Sequence, residues 1–337
     1  MNSFEYASPR SEAEAVELLN DSDLPGKGAE TAVLAGGTDL VSLLQRGLVS
    51  PRRVVDLKHV STMSGVRAVE DGVIIGALTT LEDMEDRALL SQYASLQHVI
   101  GAVHAIQIQS RGTLGGDLCH LPNCWYFRNG YGLLGFRDGK SLVEAGDNRY
   151  HAIFGNRGPA KFVSASRFAP ALLAWGARVR VIGPQPEREE WLPLANFYVT
   201  PKLASQSITV LKPGQLISHV WLPAAGLTQS ASYEVLQLRG LDWPQAAASV
   251  CVELEGGFVR EARIVLGHVA PVPWVATAAG KLLAGQSINE ETAEVAGEAA
   301  VQGATPLSGN EYKVSMARAA VKRALLRAVG QWEESDL

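Results

Sequence analysis

The sequence predicts an α+β protein of more than one compact unit, and three observations carry that prediction. A β-loop-α-β run fills residues 1–60, with one strand passing straight through a glycine turn into a helix. Strand and capped-helix patterns then recur over 61–224, broken by a long irregular stretch at about 118–160. Over 228–337 three Val- and Leu-rich strand runs precede three helical runs, the order expected of a separate α+β unit.

Taken in order, Ser11 to Asn20 puts Ser at an N-cap with Glu14 three residues on. Apolar Ala15, Val16, Leu18 and Leu19 follow at helical spacing. Asp21 to Glu30 is a polar loop; Thr31 to Ala35 reads as a buried strand, Leu40 to Gly47 as a helix and Arg53 to Leu57 as a strand. Further on, Val73 to Ala77 is a buried strand, Thr80 opens a capped helix, and another helix is expected over Ser91 to Ile106. Residues 118–160, rich in Gly, Asn, Arg and aromatics, exceed an ordinary connection, and a loop of that length is usually functional. Ala169 to Trp175 is helical and Ala177 to Ile182 a strand, with a boundary near Leu222-Pro223. Strands are then expected over Ser232–Arg239, Ala247–Glu255 and Glu261–Gly267, and helices over Val272–Gly280, Glu290–Ala300 and Tyr312–Val329.

Composition narrows the function classes. The 337 residues are 47% hydrophobic and 19% charged, enough to bury a sizeable core. A net charge of -5 without a basic stripe argues against nucleic acid as the main partner. Met1 to Arg10 lacks a basic segment followed by an apolar run, and Ala169 to Trp175 is too short to span a bilayer. Three cysteines form an odd, sparse set that fits a reducing compartment. A cytoplasmic location is therefore expected, with co-export to the periplasm on a partner subunit as the alternative.

Two glycine-rich turns carry the chemistry. Ala35-Gly36-Gly37-Thr38-Asp39-Leu40 joins a strand to a helix, where backbone N–H groups can converge on phosphate oxygens. Arg111-Gly112-Thr113-Leu114-Gly115-Gly116-Asp117 is a second turn of this kind, with Thr113 or Asp117 available to a ribose or ribityl hydroxyl. Each also serves as a plain connection, although no structural need for both Gly-Gly pairs is visible in the sequence. Neither turn has the spacing of a Rossmann or P-loop fingerprint. His104, His120, His151 and His268 lie in unrelated contexts, and no nucleophile or metalloprotease motif appears, so no catalytic residue is assigned.

The pair of turns resembles the two FAD pyrophosphate-binding turns in the FAD subunit of xanthine dehydrogenase-like molybdenum hydroxylases. The likeness extends to Phe4-x-Tyr6-x-x-Pro9, Ala169-Pro170-Ala171-Leu172 and Tyr233 to Val250, and so over nearly the whole chain. It implies a two-subdomain FAD-binding fold of the PCMH/vanillyl-alcohol-oxidase-like type, divided at 1–60 and 61–224, then a smaller C-terminal α+β domain at 228–337. By resemblance, Ala35, Gly36, Gly37, Thr38, Asp39 and Leu40 line the pyrophosphate from one side, and Thr113, Gly115, Gly116 and Asp117 from the other. Ile106, Gln107 and Ile108 would lie close to the flavin.

The sequence also departs from this family. Ser166-Arg167-Phe168-Ala169-Pro170 has Arg where Asp is usual, and Gln237 stands where a lysine often precedes the late Arg239. Arg167 is read as a solvated surface side chain, or else as a cation near reduced flavin. Cys124 to Asn129 and Gly146 to Gly155 closely resemble an insertion, in a subgroup related to periplasmic aldehyde oxidoreductases, that carries a [4Fe–4S] cluster on four cysteines. Only Cys124 matches; the other ligand places fall around Gly132, Ser141 and Ala160, so no cluster is expected. Trp125, Tyr126 and Phe127 are expected to pack the loop down. A zinc site on Cys119, His120 and Cys124 would need a non-standard spacing.

The resemblance implies an electron-transfer subunit that takes electrons from [2Fe–2S] clusters on a small partner. A large partner carries molybdopterin, and an external acceptor is reduced at FAD. A freestanding FAD-dependent oxidase would need a base or covalent link at the flavin, for which no candidate appears. A scaffold subunit that has lost FAD is the third reading.

Overall fold

The computed structural model describes residues 1–20, 31–238 and 240–332; the expected loop at Asp21 to Glu30 and the Arg239 end of an expected strand lie outside the described residues. The first sheet is three-stranded and parallel. It is built from β1 (Glu5–Ala7), β2 (Thr31–Leu34) and β3 (Arg53–Asp56), with β3 in the centre. Helices α1 (Glu12–Asn20) and α2 (Leu40–Gln45) connect the strands. The expected α1 cap is in place: Ser11 Oγ accepts from Glu14 N at 3.2 Å, and the Glu14 carboxylate accepts from Arg10 N at 2.7 Å. Strand β1 was not foreseen because Glu5 and Tyr6 are exposed and present no apolar alternation.

The second sheet is five-stranded and antiparallel, ordered β4 (Val66–Val69), β5 (Gly72–Gly76), β10 (Leu216–Pro223), β8 (Arg178–Ile182), β9 (Glu189–Pro193). Its central strand thus comes from the far end of the unit. Between β5 and β8 run α3 (Leu81–Glu85), α4 (Ala94–Gly101), α5 (Ile106–Gln109), α6 (Leu114–Leu118), α7 (Trp125–Arg128), α8 (Leu142–Ala145) and α9 (Ala169–Ala174). The helix expected over Ser91 to Ile106 is split. After Gly101 the chain turns aside and His104 N donates to the Gly240 carbonyl at 2.9 Å, so α5 starts anew and delivers the second glycine turn.

Residues 118–160 carry more order than their composition suggested. They hold α7, a hairpin of β6 (Phe136–Arg137) and β7 (Lys140–Ser141), and α8, with Leu134, Ala160, Phe162 and Ile208 as a small core. Trp125 Nε1 and Tyr126 Oη both donate to the Asp147 carbonyl, at 3.1 and 3.2 Å, which packs α7 on the returning strand of the loop.

The third sheet, antiparallel, is ordered β11 (Gln229–Val235), β12 (Ala246–Glu255), β13 (Phe258–Gly267), β14 (Trp274–Val275). It is covered by α10 (Thr277–Leu283), α11 (Glu290–Val301) and α12 (Tyr312–Ala328). The helix expected from Val272 starts only at Thr277, because Trp274 and Val275 pair with Leu266 and Val265. The insertion is anchored here through buried polar groups. Lys313 Nζ donates to the carbonyls of Tyr150, His151 and His268 at 3.3, 3.1 and 2.8 Å. Asn310 donates to the His151 carbonyl, and Asn156 to those of Ala152 and Thr305. Burial pulls the Lys313 pKa down to about 7, against the three carbonyl acceptors that favour the ammonium.

The third sheet docks on the second unit through α4, where His98 Nδ1 accepts from Ser232 N at 3.2 Å. An acceptor nitrogen is an unprotonated one. Burial, then the Arg327 charge, lowers the His98 pKa to about 4; burial, then Lys313, does the same for His151. Both values lie below the unfolded 6.5, so between them the unfolded chain binds more protons and stability falls as pH drops from 6.5 toward about 4. Chemical denaturation at about pH 7.5 and about pH 5 should show a loss of about 2 kcal/mol per imidazole. His98→Asn, which keeps an acceptor but cannot titrate, should flatten the slope; an unchanged slope would place the titration elsewhere.

Candidate functional site

Both glycine turns open on a single cleft of about 840 Å³ between the first and second sheets. Ala35, Gly36, Gly37, Thr38, Asp39 and Leu40 line one wall. Thr113, Gly115, Gly116 and Asp117 line another, and Gly240 to Trp243 close a third side. The volume lies in the range of small-molecule and cofactor sites. Ile106 and Gln107 do not reach the wall. The short helix α5 turns them outward, leaving Ile106 73% exposed, whereas Ile108, the third residue expected near the flavin, lines the cleft together with Ala105.

The turns touch backbone to backbone. A Cβ on Gly36 would lie 1.6 Å from the Arg111 carbonyl oxygen, so only glycine fits there. This corrects the expectation that nothing structural demands the Gly-Gly pairs: packing alone requires Gly36. The next residue, Gly37, takes φ +76°, a conformation that L side chains rarely adopt.

The two turns use their amides differently. Among the described residues, nothing accepts from the backbone N–H of Gly36, Gly37, Thr38 or Asp39. Four successive free donors on a tight turn form a concavity suited to an anion. In the second turn Leu114 N donates to Thr79 O, Gly115 N to Ala77 O, Gly116 N to Thr113 Oγ1 and Asp117 N to Thr113 O. That turn is thereby fastened to the end of β5. Thr113 Oγ1 keeps its own proton to donate, but the Asp117 carboxylate is engaged by Ser166 Oγ, Arg167 N at 3.0 Å and Phe168 N at 3.2 Å. Burial pushes the Asp117 pKa up, against these three donors, and the carboxylate anchors the start of α9 rather than offering itself to a ligand hydroxyl.

Arg167 is not a solvated surface side chain. It lines the cleft with its side chain 10% exposed and pairs with Glu234, 5% exposed, on β11. Burial works against the charge, but the Glu234 carboxylate more than offsets it and the Arg167 pKa is raised. Gln237 is exposed and accepts from Tyr150 Oη at 3.3 Å. A further group carries no motif and is visible only in the fold: Arg128, from the insertion, reaches Asp39 Oδ1 at 2.5 Å, and His120 Nε2 lies 3.7 Å from the same atom.

The cysteines and histidines of the insertion point apart. Cys119 lines the cleft, His120 faces Asp39 and packs on Trp243, and Cys124 Sγ meets His151 Nε2 at 3.1 Å. Among the described residues no three His, Cys, Asp or Glu side chains converge as metal ligands. Burial pushes the Cys119 thiol up to about 12 and raises that of Cys124, which leaves both protonated. Among the described residues no helix is long and apolar enough to cross a membrane.

The free amides fit the diphosphate of a dinucleotide, and the cleft of about 840 Å³ has the volume of a cofactor site. Comparison with known proteins agrees. Residues 2–225 match the family model described as the FAD binding domain in molybdopterin dehydrogenase, and 231–328 the CO dehydrogenase flavoprotein C-terminal domain. The chain is 27% identical over 331 residues to the carbon monoxide dehydrogenase medium chain of Afipia carboxidovorans, covering 97% of this chain and 96% of that one. It is 25% identical over 335 residues to the aldehyde oxidoreductase FAD-binding subunit PaoB of Escherichia coli, covering 98% and 100%. A carbon monoxide dehydrogenase structure from Hydrogenophaga pseudoflava superposes with a TM-score of 0.75 at 25% identity, covering 98% and 99% of the two chains.

If Gly36 sets the contact between the turns, Gly36→Ala must force them apart. Thermal unfolding should show a loss of about 1–3 kcal/mol, as for other overpacked sites, together with lower flavin retention on purification. A variant with wild-type melting and flavin content would show that the contact is dispensable.

Proposed function

The chain belongs to the family of FAD-binding domains in molybdopterin dehydrogenases and is an FAD-carrying subunit of that class, and from this premise we propose how it holds and serves the cofactor. The observation that carries the proposal is the row of four free amides at Gly36 to Asp39, facing the cleft between the sheets. These amides take the diphosphate, and Ala35 and Leu40 flank it. Thr113 offers its hydroxyl from the opposite turn, while Gly115, Gly116 and Asp117 hold that turn in place. Bound FAD supplies the redox chemistry; the protein supplies binding, orientation and the local charge. Arg167, paired with Glu234, leaves one buried cation at the wall without a net charge for the pair.

The proposal extends to the assembly. The chain stands between [2Fe–2S] clusters on a small partner subunit and an external acceptor, with a large molybdopterin subunit acting on the organic substrate. The relatives are named as a medium chain and an FAD-binding subunit, and likeness to them over the full length supports a subunit's place in such a complex for this chain. The units 1–60, 61–224 and 228–337 serve as two FAD-binding subdomains and a C-terminal domain. Without four converging cysteines the insertion holds no [4Fe–4S] cluster. The unpaired thiols fit a cytoplasmic complex.

The test is the visible spectrum of the chain, alone and in its complex, with iron assayed on the chain alone. About one FAD per chain without chain-bound iron is expected. Iron at about four atoms per chain would overturn the reading of the insertion. Absence of flavin from both preparations would overturn the FAD-carrier reading itself.

A further inference from the structure

We propose that Arg128, in the insertion, is a positioning residue for FAD that acts by neutralising and holding Asp39 at the end of the amide-bearing turn. The inference rests on the FAD reading above.

A carboxylate at this place is a physical problem. Asp39 follows directly on the turn whose free amides await a diphosphate, and its own oxygens would repel that group. The carboxylate is not used by the helix it precedes, since Asp39 makes no side-chain cap bond to α2. It is engaged instead by Arg128, whose Nη1 donates to Asp39 Oδ1 at 2.5 Å across 89 residues of sequence.

The arginine is fixed before it meets Asp39. Its Nε donates to the Pro122 carbonyl and its Nη2 to the Leu121 carbonyl, both at 3.0 Å, so the planar fork is held on three sides. Its side chain is 12% exposed and that of Asp39 19%, which limits screening of the pair by solvent. His120 completes the corner: its Nδ1 donates to the Leu121 carbonyl at 2.6 Å, and its ring packs against Trp243 at 5.3 Å. Asp39, His120, Leu121 and Trp243 line the cleft, whereas Arg128 stands behind them. Arg128 thereby acts at the phosphate end of the site from behind the residues that line it. It both cancels a charge and fixes the end of the turn.

The experiment titrates FAD into flavin-free full-length chain and follows flavin fluorescence, for wild type, Arg128→Gln, Asp39→Asn and the double variant. Arg128→Gln should bind FAD on the order of ten-fold more weakly at low salt, because it leaves a bare carboxylate beside the diphosphate. In the Asp39→Asn background the same Arg128→Gln change should cost less than about two-fold, since the charge it answers has gone. A loss in Arg128→Gln of equal size in both backgrounds would reduce Arg128 to a loop-packing residue and overturn the proposal. Should Arg128→Gln fail to fold, Arg128→Lys replaces it: retained charge predicts near-wild-type affinity, and a full loss overturns the proposal. A wild-type chain that takes up no FAD would instead overturn the cofactor assignment, which keeps the two failures apart.

Discussion

The structure depends on one close contact, the meeting of Gly36 with the carbonyl of Arg111. It joins a turn that leaves the first sheet to a turn that hangs from the second, and it does so without a side chain between them. The separation of the two sheets is therefore set by backbone van der Waals contact, which has little give. The second turn is in turn fastened by Leu81 N to Gly112 O at 3.1 Å and Gly115 N to Ala77 O at 2.8 Å. Cleft width, the exposure of the four amides and the start of α9 under Asp117 all follow from where this contact falls.

Much of this was legible in the sequence, and the reasons are local. Ser11 with Glu14, Thr80 with Asp83, and the strand–glycine–helix order at Thr31 to Gln45 encode their conformation within a few residues. The long-range features were not legible. The strand at Leu216 to Pro223 becomes the centre of the second sheet only because distant strands flank it. Likewise the break after Gly101 needs Gly240 as a partner, and β14 needs Val265 and Leu266. Within the site, both turns announced themselves, but not which one keeps its amides free. Thr113 takes two of the second turn's amides locally, but those of Leu114 and Gly115 depend on Thr79 and Ala77, which no motif around residue 115 encodes.

Arg167 illustrates the same limit for charge. An arginine in place of an expected carboxylate reads as a surface change, because sequence gives no hint of Glu234 on another unit. Burying both together resolves the difference: the pair joins the second unit to the third sheet and presents no uncompensated charge to the cleft. Such a pair adds little net stability over an apolar contact of the same size, yet losing one member leaves the other stranded.

The anchoring of the insertion on α12 has a consequence for how the chain is made. Lys313 is separated from the His151 carbonyl that it serves by 162 residues. A ribosome adding about 5–20 residues per second needs on the order of ten seconds to cover that gap. During that interval the carbonyls of Tyr150 and His151 stay solvated, and the loop has no lysine to close on. The Tyr150–His151 end of the insertion is thus among the last parts of the nascent chain to settle, although it lies before the midpoint of the sequence. The Arg128 corner behind Asp39 needs none of this, since its partners Leu121, Pro122 and Asp39 all precede it in the chain.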